Sequence, residues 1–394
     1  MDVLEGIRIL DLGRYIAGPF CAALLGDYGA EVIRVDQVGS RSDDRLILPV
    51  SEDGEGAQFL QTNRNKRSIS LALDKPEGKE VLHELVRRSD VVIANMPPRV
   101  LKKLGLDYET LSAIKPDIIL TASTAFGTAE AVKDRVAFDG VGQVISGAVH
   151  MAGLPDHPMK AMVPVVDIGT ALSCALGTVL ALFERRTSGK GQEVGASLVQ
   201  TALNFSASTL IEEAVLKVGR KATMNRAAQY APSDIFRAKD GWFIAQVIGQ
   251  GMFKRWTVMV GRPELFDDPR FKDDLERGKH GEFISNLMNE WAANLTRAEA
   301  LKKLEEARIP AGPVNSPREA LEDPTILASE PFEYIEYPGV KVPVPLVKSP
   351  AFLSRTPGKV RRRPPQSGEH TDEILQELGY DQLKIQQLRE LGIV

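Results

Sequence analysis

Cysteine is scarce: the 394 residues hold two, Cys21 and Cys174, each in an Ala/Leu-rich helical stretch. That excludes a disulfide framework and a thiolate metal cluster, and it predicts a reduced, cytoplasmic compartment. Histidine is almost as sparse. His83, His150, His157, His280 and His370 are scattered, and none forms an H-x-x-x-H or H-E-x-x-H pair, so no metal site is expected. No Gly-x-Ser-x-Gly elbow and no Gly-Lys-Ser/Thr loop occurs, which removes the serine-hydrolase and P-loop readings. A basic block is also missing. The 49 Lys and Arg stand against 53 Asp and Glu, for a net charge of −4 and a pI near 5.9. Nucleic acid is therefore not an expected partner. No apolar run reaches about 18 residues, so no membrane span is expected. The opening MDVLEGIRIL lacks the basic-then-apolar layout of a signal peptide.

What is present is ordinary globular composition, 43% apolar and 26% charged. The length suggests two domains or one large one. Strand-like segments at 7–11, 31–36, 67–73, 90–95 and 117–123 alternate with helical ones, including 76–88, which opens on a proline. That alternation predicts a doubly wound parallel sheet with helices on both faces. A helix is expected over 139–149, and a buried, nearly all-apolar helix over 167–187, ending at Ser188-Gly189. A strand at 192–197 and a helix over 198–218 follow. The pattern changes at 236–247, a hairpin with Asp240-Gly241 as its turn, and charged amphipathic helices fill 253–307. We read roughly 225–325 as a smaller inserted domain, with prolines at 310, 313, 317 and 324 marking its exit. VKVPVPLVKSP (340–350) is too proline-rich for a central strand.

The first strand–helix loop is the natural ligand position of such a sheet. Here it reads Gly13-Arg14-Tyr15-Ile16-Ala17-Gly18, without the middle glycine of a dinucleotide fingerprint, although Asp36 stands where an NAD enzyme holds the ribose. Asp167 follows the apolar MVPVV and precedes a helix with no further charge until Glu184. It fits an N-cap, and it equally fits a carboxylate nucleophile towards an acyl carbon. Cations recur beside strand ends: Arg34, Arg41, Arg45, Arg64, Lys66, Arg67, Arg99, Lys102 and Lys103. They suit a ligand with several phosphates, or else a solvated helix face.

Several segments together carry a resemblance. LEGIRILDLGRYIAGPFCAALLGDYGAEVIRVD, NRNKRSISLALDKPEGKEVL, Asn95-Met96-x-Pro with the following Leu-Gly-Leu, SGKGQEV and GEHTDEIL resemble the class III CoA-transferases, the CaiB/BaiF or formyl-CoA transferase family. The resemblance runs in order over nearly the whole chain. It implies an α/β fold and an interlocked homodimer of ring-like chains, each with a large Rossmann-like domain built from both termini (1–224 with its linker, and 326–394 as return linker and C-terminal part) and a small α+β middle domain (225–325). It also implies that Asp167 is the nucleophile, working through mixed anhydrides and an aspartyl-CoA thioester. No metal or redox cofactor is implied, since the CoA thioester is itself a substrate.

Acyl-CoA and carboxylic acids are the implied small-molecule partners. The family's first-loop contacts fall on Arg14, Tyr15, Ile16 and Ala17, and its nucleotide contacts on Gln37, Leu71, Asn95, Met96 and Lys103. Arg135 adjoins a position that is basic in some members. The glycine loop that covers the nucleophile in formyl-CoA transferase is matched to Ile248-Gly249-Gln250-Gly251. Related racemases carry histidine then aspartate where this chain has Phe138-Asp139. A racemase and a non-enzymatic acyl-CoA binder are the alternatives to a transferase. Arg14 beside the site favours a dicarboxylic acceptor, because guanidinium pairs with a second carboxylate.

Overall fold

The computed structural model describes residues 2–39 and 42–394. The chain divides into two compact units, one of Met1–Ser146, Ala161–Ser208 and Pro331–Val394, the other of Gly147–Lys160 and Thr209–Glu330. The second unit is wider than the 225–325 span read from the sequence. It takes in a short hairpin of Gly153–Leu154 and His157–Pro158, where Gly153 O accepts the Met224 N–H at 2.6 Å.

The first unit runs β1 (Arg8–Asp11), α1 (Ala17–Asp27), β2 (Glu31–Asp36), α2 (Ala57–Thr62), β3 (Lys66–Ser70), α3 (Pro76–Arg87), β4 (Val91–Ala94), α4 (Pro98–Leu104), α5 (Tyr108–Ile114) and β5 (Ile119–Thr124). Then come α6 (Asp139–Ile145), α7 (Val165–Ser188), β6 (Glu193–Ser197), α8 (Leu198–Phe205) and α9 (Ala207–Leu216), within which the second unit begins. Six strands form one sheet in the order β3-β2-β1-β4-β5-β6, parallel throughout. The fold is thus mixed α/β around a parallel sheet.

Successive residues of these strands point to opposite faces, and both faces are apolar because both are covered. Leu10, Ile33, Val92 and Leu120 pack on one side with Leu82, Leu85 and Leu111. Ile9, Val32, Val91 and Ile119 pack on the other with Cys21, Leu24, Ala171 and Cys174 of α1 and α7. Both cysteines are free and buried.

Helix α7 departs from its sequence reading. It is 24 residues long and, by length and composition alone, apolar enough to cross a membrane, a test that the core helix of a soluble protein also passes, so run length by itself does not decide the point. Nor is it buried all round. Gly169, Ala171, Cys174, Thr178 and Ala181 face the core, whereas Leu172, Leu176, Val179, Leu180 and Phe183 lie exposed on the outer side.

In the second unit, β7 (Ser233–Ala238) and β8 (Gly241–Gln246) lead to α10 (Gln250–Met259), α11 (Asp274–Lys279), α12 (Gly281–Ala292), α13 (Arg297–Glu306), β9 (Ala311–Pro313), α14 (Pro317–Glu322) and α15 (Pro324–Leu327). The antiparallel sheet, ordered β9-β8-β7, encloses Phe236, Phe243, Phe253, Trp256 and Ile284 with these helices.

The chain re-enters the first unit through β10 (Phe332–Ile335) and β11 (Val344–Val347), a two-stranded ribbon that tolerates Pro345 as an edge does. Helices α16 (Thr371–Glu377) and α17 (Gln382–Glu390) follow, adding Leu375, Ile385 and Leu388 to the core. Residues 368–371 dock along the free edge of β3. There Ser68 O accepts the His370 N–H at 2.9 Å, Ser68 Oγ accepts the Gly368 N–H at 2.8 Å, and Ser70 N–H donates to Thr371 Oγ1 at 3.1 Å.

Candidate active site

The first loop, residues 12–16, leaves β1 beside β4, where the strand order reverses, so a crevice opens there. Its backbone is held from four sides. Asp11 Oδ1 accepts the Gly13 N–H (2.8 Å), Arg34 Nη1 donates to Gly13 O (3.3 Å), and Asp44 Oδ2 accepts the Tyr15 N–H (3.3 Å). Asn95, just past β4, accepts from Arg14 N (2.8 Å) and donates to Arg14 O (2.6 Å). These bonds hold Tyr15 at φ +62°, an uncommon region for a side chain of that size.

Under the loop lies a buried ionic cluster. Lys66 pairs with Asp11 (2.7 Å), Arg34 with Asp36 and Asp44 (2.9 Å each), and Arg45 with Asp36 (2.8 Å) and Glu55 (3.2 Å). Burial raises the Asp36 carboxyl, but Arg34 and Arg45 outweigh it and hold the group well below its ordinary range. Burial brings the Lys66 ammonium down to about 8 against the pull of Asp11. Arg64 is likewise spent on Asp27 (2.7 Å), and Arg67 on Glu31, Glu373 and Glu377. Five of the cations expected to face phosphates are therefore internal, and they form no solvated face either. Their work is to stiffen the loop and the sheet edge. Asp36, bonded to Arg34, Arg45 and Ser68, is not free to take a ribose. Arg99, Lys102 and Lys103 stay exposed, and Arg41 lies outside the described residues.

Arg14, Gln37, Leu71 and Met96 do come together. With Leu12, Val35 and Leu104 they line a pocket of about 290 Å³. Lys103 precedes Leu104 on α4, and Asn95 precedes Met96. Ile16 and Ala17 are buried, so what they offer a ligand is backbone. Arg135 is exposed, with its guanidinium 4.2 Å from the Phe126 ring centroid.

Tyr15 links the loop to the second part of the site. Its ring meets Phe138 edge-on, with centroids 5.4 Å apart. Phe138 precedes α6, and α6 governs the start of α7. Asp139 Oδ2 accepts the N–H groups of Val166 (2.7 Å) and Asp167 (3.0 Å). Gln143 donates to Asp139 and accepts the Ala161 N–H at 2.8 Å. Pro164 precedes α7 without a capping side chain. Asp167 is therefore the third residue of the helix and not its N-cap, and Asp139 supplies the missing acceptor from another element. The Asp167 carboxylate has no hydrogen-bond or ion-pair partner among the described residues. Burial raises it, and the nearby Asp139 charge adds to that, to about 7. A half-buried, unpartnered carboxylate of this basicity has the chemistry of a nucleophile.

The sequence singles out Asp139 only as the residue after Phe138 in the racemase comparison; that it accepts from α7 is not legible there, because an aspartate opening its own helix reads as local to that helix. Asp44 was equally silent, because its partners Tyr15 and Arg34 come from the first loop and β2.

Gly249, Gln250 and Gly251 belong to the second unit. The structure makes them a helix start and not an open loop. Gly249 precedes α10 at φ 78°, ψ 161°, its N–H shared by both Asp274 oxygens at 3.0 Å. Gln250 and Gly251 form the first turn, and Gln250 Oε1 accepts from buried Arg277 at 3.1 Å.

The profile of CoA-transferase family III matches residues 4–371. Succinate–glutarate CoA-transferase of Agrobacterium fabrum is 34% identical over 393 residues, 95% of each chain. The beta subunit of succinyl-CoA–L-malate CoA-transferase of Chloroflexus aurantiacus is 31% identical, over 99% of this chain and 98% of that one. The crystal structure of a CaiB/BaiF family protein from Brucella suis superposes with a TM-score of 0.83 at 30% identity, covering 96% of this chain and 99% of that one. The chain belongs to CoA-transferase family III. It is a CoA-transferase.

Proposed function

We propose that this enzyme moves CoA from succinyl-CoA to a dicarboxylic acid, with Asp167 as the nucleophile. The observation that carries the reading is the Asp167 carboxylate itself, left without a partner in the first turn of α7 and made basic by burial and by Asp139. The relatives support the substrate class, because they are named for succinyl-CoA or succinate with D-citramalate, L-malate or glutarate.

The steps balance without a further reagent. An Asp167 oxygen attacks the thioester carbonyl and expels CoA thiolate, leaving a mixed anhydride. The thiolate attacks the aspartyl carbonyl and expels succinate, leaving an aspartyl-CoA thioester. The acceptor carboxylate then attacks that thioester, and the returning thiolate takes the acyl group from the second anhydride. Thioester energy survives only while water is kept out. A racemase of this fold needs a second base where Phe138 stands, and a phenyl ring has no proton to transfer. We place the CoA nucleotide along the pocket of Gln37, Leu71 and Met96. Arg14 faces the remote carboxylate of the acid.

The outer face of α7 supports a homodimer. Leu176 is 63% and Phe183 70% exposed in the single chain, a stripe that a second copy would cover. Two buried free thiols suit a reducing cytoplasm.

Incubation with succinyl-CoA alone should leave a hydroxylamine-sensitive adduct on Asp167, read by peptide mass. A panel of acids should then favour dicarboxylates. Arg14→Met should weaken these by about 10- to 150-fold, the value of one lost charge-assisted pair, and spare monocarboxylates. An adduct elsewhere refutes the nucleophile. Equal slowing of both acid classes makes Arg14 a CoA contact.

A further inference from the structure

We propose that Asp139 is the positioning residue of the transfer reaction: reaching across from α6, its carboxylate fixes the backbone that carries the Asp167 nucleophile. The inference rests on the reading of Asp167 given above. Its starting point is a choice of residue that structure alone does not explain. The first N–H groups of α7 need an acceptor, and a neutral Asn, Ser or Thr side chain would serve. The chain instead presents a carboxylate, 9% exposed, beside a second half-buried carboxylate. Two like charges in one poorly solvated place oppose folding. A group kept there against that penalty has another use.

The arrangement shows what it does. Both Val166 and Asp167 N–H groups converge on one oxygen of Asp139, and Gln143 ties the other oxygen to Ala161 at the far end of the same approach segment. Residues 161–167 are thus clamped at both ends by one turn of α6. Gly142 makes the approach possible, since a Cβ there would lie 2.9 Å from Val166 Cγ1. The charge has a second effect. An open helix N-terminus is positive and would hold a first-turn carboxylate acidic and poorly nucleophilic. Asp139 occupies those N–H groups and cancels that field. Other elements against α7 bring little charge to this end. Helix α1 carries Cys21 and Asp27, the latter paired with Arg64. β6 carries Glu193, and β5 and α8 carry no titratable side chain.

The test uses the full-length enzyme with Asp139→Asn and Asp139→Glu. Asparagine keeps an acceptor and removes the charge. We expect kcat to fall at least about tenfold, the loss of one charge-assisted bond geometry, with KM for acyl-CoA within about twofold. The acidic limb of the kcat–pH profile should move down by about half a unit or more, because Asp167 loses its like-charged neighbour. Glutamate restores the charge off position, so the limb should return towards wild type while kcat stays low. Wild-type kcat and an unmoved limb in the asparagine variant would overturn the proposal. So would a glutamate variant with wild-type kcat, which also decides the matter if asparagine prevents folding. The mass of the acyl-CoA adduct in the wild type reports separately on Asp167. An adduct on another residue fails the nucleophile reading whatever the Asp139 variants do.

Discussion

At Asp167, burial and the Asp139 charge both favour the neutral acid, so the ionised form, the one our proposal needs, is the costlier one in the folded chain. Its pKa near 7 compares with an ordinary 3.8. Above pH 7 the folded and unfolded chains are both ionised at this residue, and the fold bears the whole penalty. Between 7 and 3.8 the folded form takes up a proton and the penalty shrinks; below 3.8 it is gone. Asp167→Asn should therefore abolish transfer yet stabilise the protein at pH 8, by about 1–3 kcal/mol once its solvent contact is allowed for. The gain should fade below pH 7 and vanish near pH 4. Thermal melts across that range check it, and a variant no more stable at pH 8 contradicts the electrostatics. The sequence made Asp167 visible because it interrupts an apolar run. It hid the residue's true helical position, since Pro164 precedes α7 and the cap comes from α6. Arg34, Arg45 and Lys66 misled for a related reason. A sequence shows charges, but not the buried acids that meet them.

Among the elements, the strands were legible and their partners were not. Both faces of the central sheet are apolar, so short Val/Ile/Leu runs stand out. The hairpin shows how finely register can slip. Gly241 pairs with Ala238, so Lys239-Asp240 makes the turn expected one residue later. Asp240 is freed to accept the Arg297 N–H at the start of α13, at 2.6 Å. Helix α10 yields a prediction from two glycines that look alike in sequence. Gly249 holds a backbone conformation that only glycine adopts comfortably, so Gly249→Ala should destabilise the second unit by about 1–3 kcal/mol. Gly251 lies inside the first helical turn with nothing nearer its missing Cβ than Arg255 Nη1 at 3.8 Å. Gly251→Ala should be neutral, or stabilising by up to about 1 kcal/mol. Urea titrations of the two variants separate these outcomes. Equal losses would mean that both glycines serve a mobile loop.

For the whole molecule, the apolar outer face of α7 is the feature that a single chain leaves unexplained. Composition could announce the helix, but not that its second face would go uncovered. If two copies meet there, Phe183→Glu and Leu176→Glu should shift sedimentation from dimer towards monomer or aggregate. Unchanged dimers would move the contact elsewhere. The segment that docks on β3 has another consequence, one of timing. Ser68 Oγ and Gly368 N–H meet across 300 positions of sequence. At roughly 5–20 residues per second, a ribosome needs about 15–60 s to span that distance. Throughout that interval the emerging chain carries a bare β-edge, an invitation to pair with the wrong neighbour. Synthesis of residues 368–371 supplies the segment that ends that exposure.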